Sequence, residues 1–144
     1  MGGAIIWLIG AAVTPFLDQM MSRILVVEDN PEVAVVLGDM LGAYGHACSL
    51  IHNAKDALAA LEKGGIDVVV ADVRLPGGVS GIEIAQRARA AGIGCVMITG
   101  YFDAMTDLEK RQHCIWLPKP SRGSQLADAV AAALLTGGQK LSSR

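Results

Sequence analysis

Short apolar runs, each closed by a polar residue, alternate along this chain with longer stretches whose apolar positions recur at helical spacing. The first run, Arg23–Val27, is β-branched and apolar without alternation, as expected of a parallel strand buried on both faces. Asn30-Pro31-Glu32 then reads as a helix start, with an N-cap asparagine, a proline at the first helical position and an acid in the first turn. That helix places Val33, Val36, Leu37, Met40 and Leu41 on one face and stops near Gly42. Ala47–Ile51 reads as a second strand. Asn53 caps a helix carrying Ala54, Ala57, Leu58 and Leu61, which ends at Gly64-Gly65. The third strand spans 66–71, and a loop of turn formers over 75–81 leads into a helix at 82–91. Residues 95–98 form the fourth strand, 103–112 a weakly amphipathic helix, 115–117 the fifth strand and 121–135 the last helix.

Five such units predict an α/β protein with a parallel sheet covered by helices on both faces. Right-handed crossovers leave few topologies. The strand order 2-1-3-4-5, a flavodoxin-like (βα)5 three-layer sandwich, puts the ends of strands one and three together at a switch point. The domain covers 22–136, and 137–144 is a short polar tail. Residues 1–21 are an apolar extension that does not fit this pattern. Its core, residues 4–17, is shorter than the roughly 20 residues that span a bilayer, and Pro15 interrupts it. A secretory signal begins with basic residues, whereas the first here is Arg23. Met20 or Met21 as the true start is the leading reading, followed by an arm that packs on a partner or on its own domain. Membrane association fits least.

Composition narrows the function classes. With 52% apolar residues in 144, the chain can bury a single sizeable core. The net charge is −2 and the twelve Lys and Arg are scattered, which argues against direct nucleic-acid binding, since that needs a basic stripe. Cys48, Cys95 and Cys114 show no CxxC spacing, and no pairing with His46, His52 or His113 has zinc-ligand spacing. They read as reduced, buried small hydrophobes in a cytoplasmic protein.

The chemistry lies at the strand ends. Glu28 and Asp29 close the first strand, Asp72 the third, Thr99 the fourth and Lys119, followed by Pro120, the fifth. In an open parallel sheet these carboxyl ends form the ligand-binding edge. Three carboxylates gathered there repel one another, and oxygen-only ligands suit Mg²⁺. Asp72, at the end of the central strand, is the candidate nucleophile, able to take a phosphoryl group as an acyl phosphate. Lys119 and the Thr99 hydroxyl then supply charge and a hydrogen bond to the transferring oxygens. Singly, each has a plain alternative: a turn residue after a strand, a solvated lysine, or a core tryptophan at Trp116. Their combination is far more specific.

From about residue 23 to 135 the chain resembles the receiver domain of bacterial two-component response regulators. The resemblance is carried by Ile24-Leu-Val-Val-Glu-Asp-Asn, Ala71-Asp-Val-Arg-Leu-Pro-Gly-Gly-Val-Ser-Gly, Val96-Met-Ile-Thr-Gly and Trp116-Leu-Pro-Lys-Pro. It implies that Asp72 accepts phosphate from the phosphohistidine of a histidine kinase or histidine phosphotransfer protein. Glu28, Asp29, Asp72 and the backbone carbonyl of Arg74 would hold Mg²⁺. Lys119 would contact the phosphoryl group, and the Lys119-Pro120 bond would be cis. Thr99 and Trp116 would form the switch pair that reshapes the face of the fourth helix, fifth strand and fifth helix.

Some positions depart from the family pattern. The loop from Asp72 to Gly81 is one residue longer than the commonest spacing, Trp116 stands where Tyr or Phe is usual, and Gly100 replaces the commoner Ala. Arg74 and Tyr101 hold positions that, in the family, influence water access to the phosphoryl group. The leading expectation is a stand-alone phosphoacceptor that signals by binding a downstream protein and is not a turnover enzyme. One alternative is a Mg²⁺-dependent phosphohydrolase of the haloacid-dehalogenase type, although Arg74 stands where that class carries its acid. Others are a flavodoxin-like nucleotide or flavin binder, which lacks its glycine fingerprint here, and a degenerate receiver that binds partners without phosphorylation.

Overall fold

Strand residues of alternate parity build two separate apolar layers, one on each side of a single sheet. The computed structural model describes residues 22–77, 80–100 and 114–142, with side chains to 137. Its elements in order are β1 Arg23–Val27, α1 Pro31–Gly42, β2 Ala47–Ile51, α2 Ala54–Lys63, β3 Val68–Asp72, α3 Gly81–Ala90, β4 Gly94–Thr99, β5 Ile115–Pro118 and α4 Gly123–Ser142. The sheet is parallel in the order β2-β1-β3-β4-β5, as expected from the pattern. Among the described residues no helix is long and apolar enough to cross a membrane.

Successive side chains of a strand point to opposite faces. Leu25, Val27, Val69, Ala71, Cys95, Met97 and Trp116 therefore meet α2 and α3 through Ala57, Leu61, Ile84 and Ala88. Ile24, Val26, Val68, Val70, Val96 and Ile98 meet α1 and α4 through Leu41, Leu126, Val130 and Ala133. Each fully buried Val or Leu is worth about 1.5–3 kcal/mol, so the three central strands anchor the whole molecule. The starts of α1 and α2 are capped as their sequence demands. Asn30 Oδ1 accepts from the Glu32 and Val33 amides, and Asn53 Oδ1 from the Asp56 amide.

Four expectations need correction. β3 begins at Val68 and takes in Asp72, because Asp72 still pairs with Ile98 of β4. β4 likewise takes in Gly94 and Thr99. On α1 the fully buried residues are Ala34 and Leu41, whereas Val36 is half exposed. The run Val33-Ala-Val-Val-Leu is apolar nearly all round, so periodicity alone cannot choose its inner face. α4 starts two residues later than expected, at Gly123, and runs past Gly137 to Ser142. Gly137 does not stop the helix. It lets α4 lie against the backbone of Gly92 and Gly94, where a Cβ would come within 2.9 Å of the Gly94 nitrogen. The expected helix over 103–112 and the apolar extension over 1–21 lie outside the described residues, as does Tyr101.

Candidate functional site

Every strand-end residue singled out in the sequence sits on the carboxyl edge of the sheet. Glu28 follows β1 directly, and its amide donates to the Ile51 carbonyl of β2 (2.9 Å), which extends the pairing by one residue. The carboxylate is thereby held inward and is only 2% exposed, while Asp29 beside it is exposed. Asp72 is the last residue of β3 and still pairs with Ile98 of β4, while the pairing with β1 ends one residue before it, at Ala71. The amide of Arg74 donates to Asp72 Oδ1 (3.0 Å), which sets the orientation of the carboxylate. Thr99, the last residue of β4, is buried. Its carbonyl accepts from the Lys119 amide (2.9 Å), placing the lysine immediately beyond β5. The Lys119-Pro120 bond is cis, as the resemblance implied.

Lys119 is the hinge of the electrostatics. Its Nζ donates to Glu28 Oε1 (3.1 Å) and to Asp72 Oδ2, bridging residues that lie far apart along the chain. Burial alone would pull the lysine pKa down, but the hydrogen bonds and charges of Asp72 and Glu28 outweigh it and leave the pKa raised. Burial is also the main influence on Glu28 and raises its pKa. Lys119 opposes that rise, and the nearby Asp29 and Asp72 carboxylates add to it. One ammonium is thus shared by a carboxylate cluster that it only partly neutralises.

The cluster fits a hard cation. One carboxylate oxygen each from Glu28, Asp29 and Asp72 lies within 4.8 Å of the others. Glu28 Oε2 is buried with no hydrogen-bond partner among the described residues, an uncommon and costly state for a carboxylate oxygen. An all-oxygen donor set with an unsatisfied buried lone pair suits Mg²⁺ or Ca²⁺ better than a transition metal.

Trp116 lies farther down the sheet. It is buried opposite Met97 in the layer facing α2 and α3, and its indole Nε1 has no hydrogen-bond partner among the described residues. The contact to Asp72 from Arg74 comes through its amide. Gly81, which closes the run from Ala71 that carries the family resemblance, belongs to the site as well. Its amide donates to the Val73 carbonyl (3.0 Å), and a Cβ there would drive into the carbonyl oxygen of Asp72 and the Met97 methyl.

Comparison with known proteins agrees with this geometry. The family model of the response regulator receiver domain matches residues 24–131. The sensor histidine kinase RcsC of Salmonella typhimurium is 36% identical over 98 residues, covering 68% of this chain and 10% of RcsC. The chain therefore spans about a tenth of that protein's length. Among solved structures, a response regulator receiver domain protein from Clostridium thermocellum superposes with a TM-score of 0.71 at 22% identity, covering 84% of this chain and 98% of that one. The response regulator TrrA of Thermotoga maritima, in complex with Mg²⁺ and BeF, gives a TM-score of 0.71 at 28% identity, covering 79% and 100%.

Proposed function

The chain belongs to the response regulator receiver domain family, and from that premise we propose that Asp72 is its phosphoacceptor in two-component signalling. The observation that carries this reading is the convergence of Asp72, Lys119 and the buried Glu28 at one point of the sheet edge. The donor is the phosphohistidine of a histidine kinase or phosphotransfer protein. An oxygen of Asp72 attacks phosphorus, the P–O bond forms as the P–N bond breaks, and the leaving imidazole keeps the electron pair.

Glu28, Asp29 and Asp72, with the Arg74 carbonyl, would hold a magnesium ion, which when bound would supply positive charge to offset that of the phosphoryl group. The remaining work falls to the chain. The Arg74 amide fixes one Asp72 oxygen, which limits the rotation of the nucleophile. Lys119 already contacts the other oxygen and turns its charge toward the incoming group, and the Thr99 hydroxyl donates a hydrogen bond to it. That new charge biases Thr99 and Trp116 toward a second arrangement. The altered surface binds a downstream protein, and the chain acts as a signalling module with no turnover of its own.

Incubation with acetyl phosphate and Mg²⁺ tests this reading. Intact-mass measurement is expected to show one phosphoryl adduct that hydroxylamine removes, that chelation of the metal prevents, and that Asp72→Asn abolishes. Absence of the adduct, or its survival in Asp72→Asn, would overturn the assignment.

A further inference from the structure

We propose that Cys95 and Cys114 are a second modification site, a thiol pair that closes to a reversible disulfide when the protein meets a peroxide. The pairing of β4 with β5 runs Val96 to Ile115 and Met97 to Trp116, so the residue before each, Cys95 and Cys114, lie side by side at the amino-terminal ends of the two strands. Neighbouring strands are about 4.8 Å apart, within the roughly 4.4–6.8 Å between Cα atoms that a disulfide accepts. Both side chains belong to the layer facing α2 and α3, so they project from the same side of the sheet. Both are free thiols.

Their environments divide the labour. Cys114 is only half buried, whereas Cys95 is 4% exposed. The neighbouring Cys114 thiol, and after it burial, raises the Cys95 pKa well above the ordinary thiol value. Cys114, the more exposed of the two, is the thiol that meets the oxidant first. Its thiolate attacks the peroxide; an S–O bond forms, the O–O bond breaks and hydroxide leaves, giving a sulfenic acid. Cys95 then attacks that sulfur, the S–S bond forms, the S–O bond breaks and water leaves. The two thiols are oxidised by two electrons and the peroxide is reduced. The bridge joins β4 to β5 two residues below Met97 and Trp116, on the side of the sheet that holds the aromatic ring. Cys48 lies on β2, beyond β1 and β3, and packs into the opposite layer, so it has no part in the bridge.

The experiment treats the intact protein with hydrogen peroxide, blocks remaining thiols by alkylation and maps the peptides by mass spectrometry. A peptide pair linked through Cys95 and Cys114, with Cys48 alkylated and the link reversed by dithiothreitol, is the expected result. Cys95→Ala is expected to leave a dimedone-reactive sulfenic acid on Cys114, and Cys114→Ala to give no bridge. Asp72→Asn is expected to form the bridge as the unsubstituted chain does, so failure of the phosphoryl reading would not be mistaken for failure of this one. Alkylation of both Cys95 and Cys114 after peroxide, or a bridge joining two chains, would overturn the proposal.

Discussion

Lys119 offers its donors to two carboxylates at once, and its removal strips Glu28 and Asp72 of the ammonium they share. Lys119→Met is expected to slow formation of the Asp72 adduct by roughly a hundredfold or more, the scale of losing one preorganised charge donor. Time courses with acetyl phosphate measure this, and an unchanged rate would make the lysine a mere ion-pair partner. Asp29→Asn removes an exposed negative charge from the proposed magnesium site without touching the core. Loss of even an outer-shell partner costs a metal site roughly tenfold in affinity, so at least that weakening of Mg²⁺ binding is expected by calorimetry. His46 belongs to a different part of the molecule. Its Nδ1 accepts from the Ser22 amide (3.2 Å), and burial lowers its pKa below the ordinary 6.5. The folded chain therefore favours neutral imidazole, and the unfolded chain binds the extra proton first. This contribution to stability is fully present above pH 6.5 and is lost as the pH falls through the lowered folded value. Urea midpoints of the unsubstituted protein and His46→Gln should converge as the pH drops through that window; parallel curves would contradict the assignment.

At the scale of elements, close approach of backbones decides what composition leaves open. Helix propensity alone predicts that Gly137→Ala strengthens α4 by about 1 kcal/mol. The 2.9 Å approach to backbone at Gly94 predicts the opposite sign, a net loss of about 1–3 kcal/mol. At Gly42, near the end of α1, an added methyl group would meet nothing within 4 Å, so Gly42→Ala should be neutral or stabilising by up to about 1 kcal/mol. Thermal melts of the two variants test the contrast through its sign. The strands were legible because unbroken apolar runs were closed by turn chemistry, and the α1 and α2 starts because Asn30-Pro31 and Asn53 are strong caps. Element ends were less so. Asp72 reads as the start of a loop, yet its pairing with Ile98 keeps it in β3. Gly137 reads as a helix terminator, yet it serves helix-to-strand contact.

Across the whole molecule, the site exists only because the sheet order brings together Glu28, Asp72 and Lys119. Residue types at strand ends were sufficient to name these positions in advance, together with Asp29 and Thr99, since a parallel sheet delivers all its carboxyl ends to one edge. The pairwise geometry was not legible. Nothing in the one-dimensional pattern says that Lys119 reaches both Glu28 and Asp72, that Glu28 Oε2 has no partner among the described residues, or that Gly81 presses on the backbone of Asp72. Those facts depend on burial and on contacts made across the fold. On the proposed function, this convergence makes one side chain, and no other, the acceptor of a phosphoryl group. Reduction of the phosphorylated protein with borohydride converts an aspartyl phosphate to homoserine, which peptide sequencing by mass spectrometry then locates. Homoserine at position 72 alone is the expected result; homoserine at position 29, or an unreduced phosphate on a hydroxyl or imidazole side chain, would overturn the assignment.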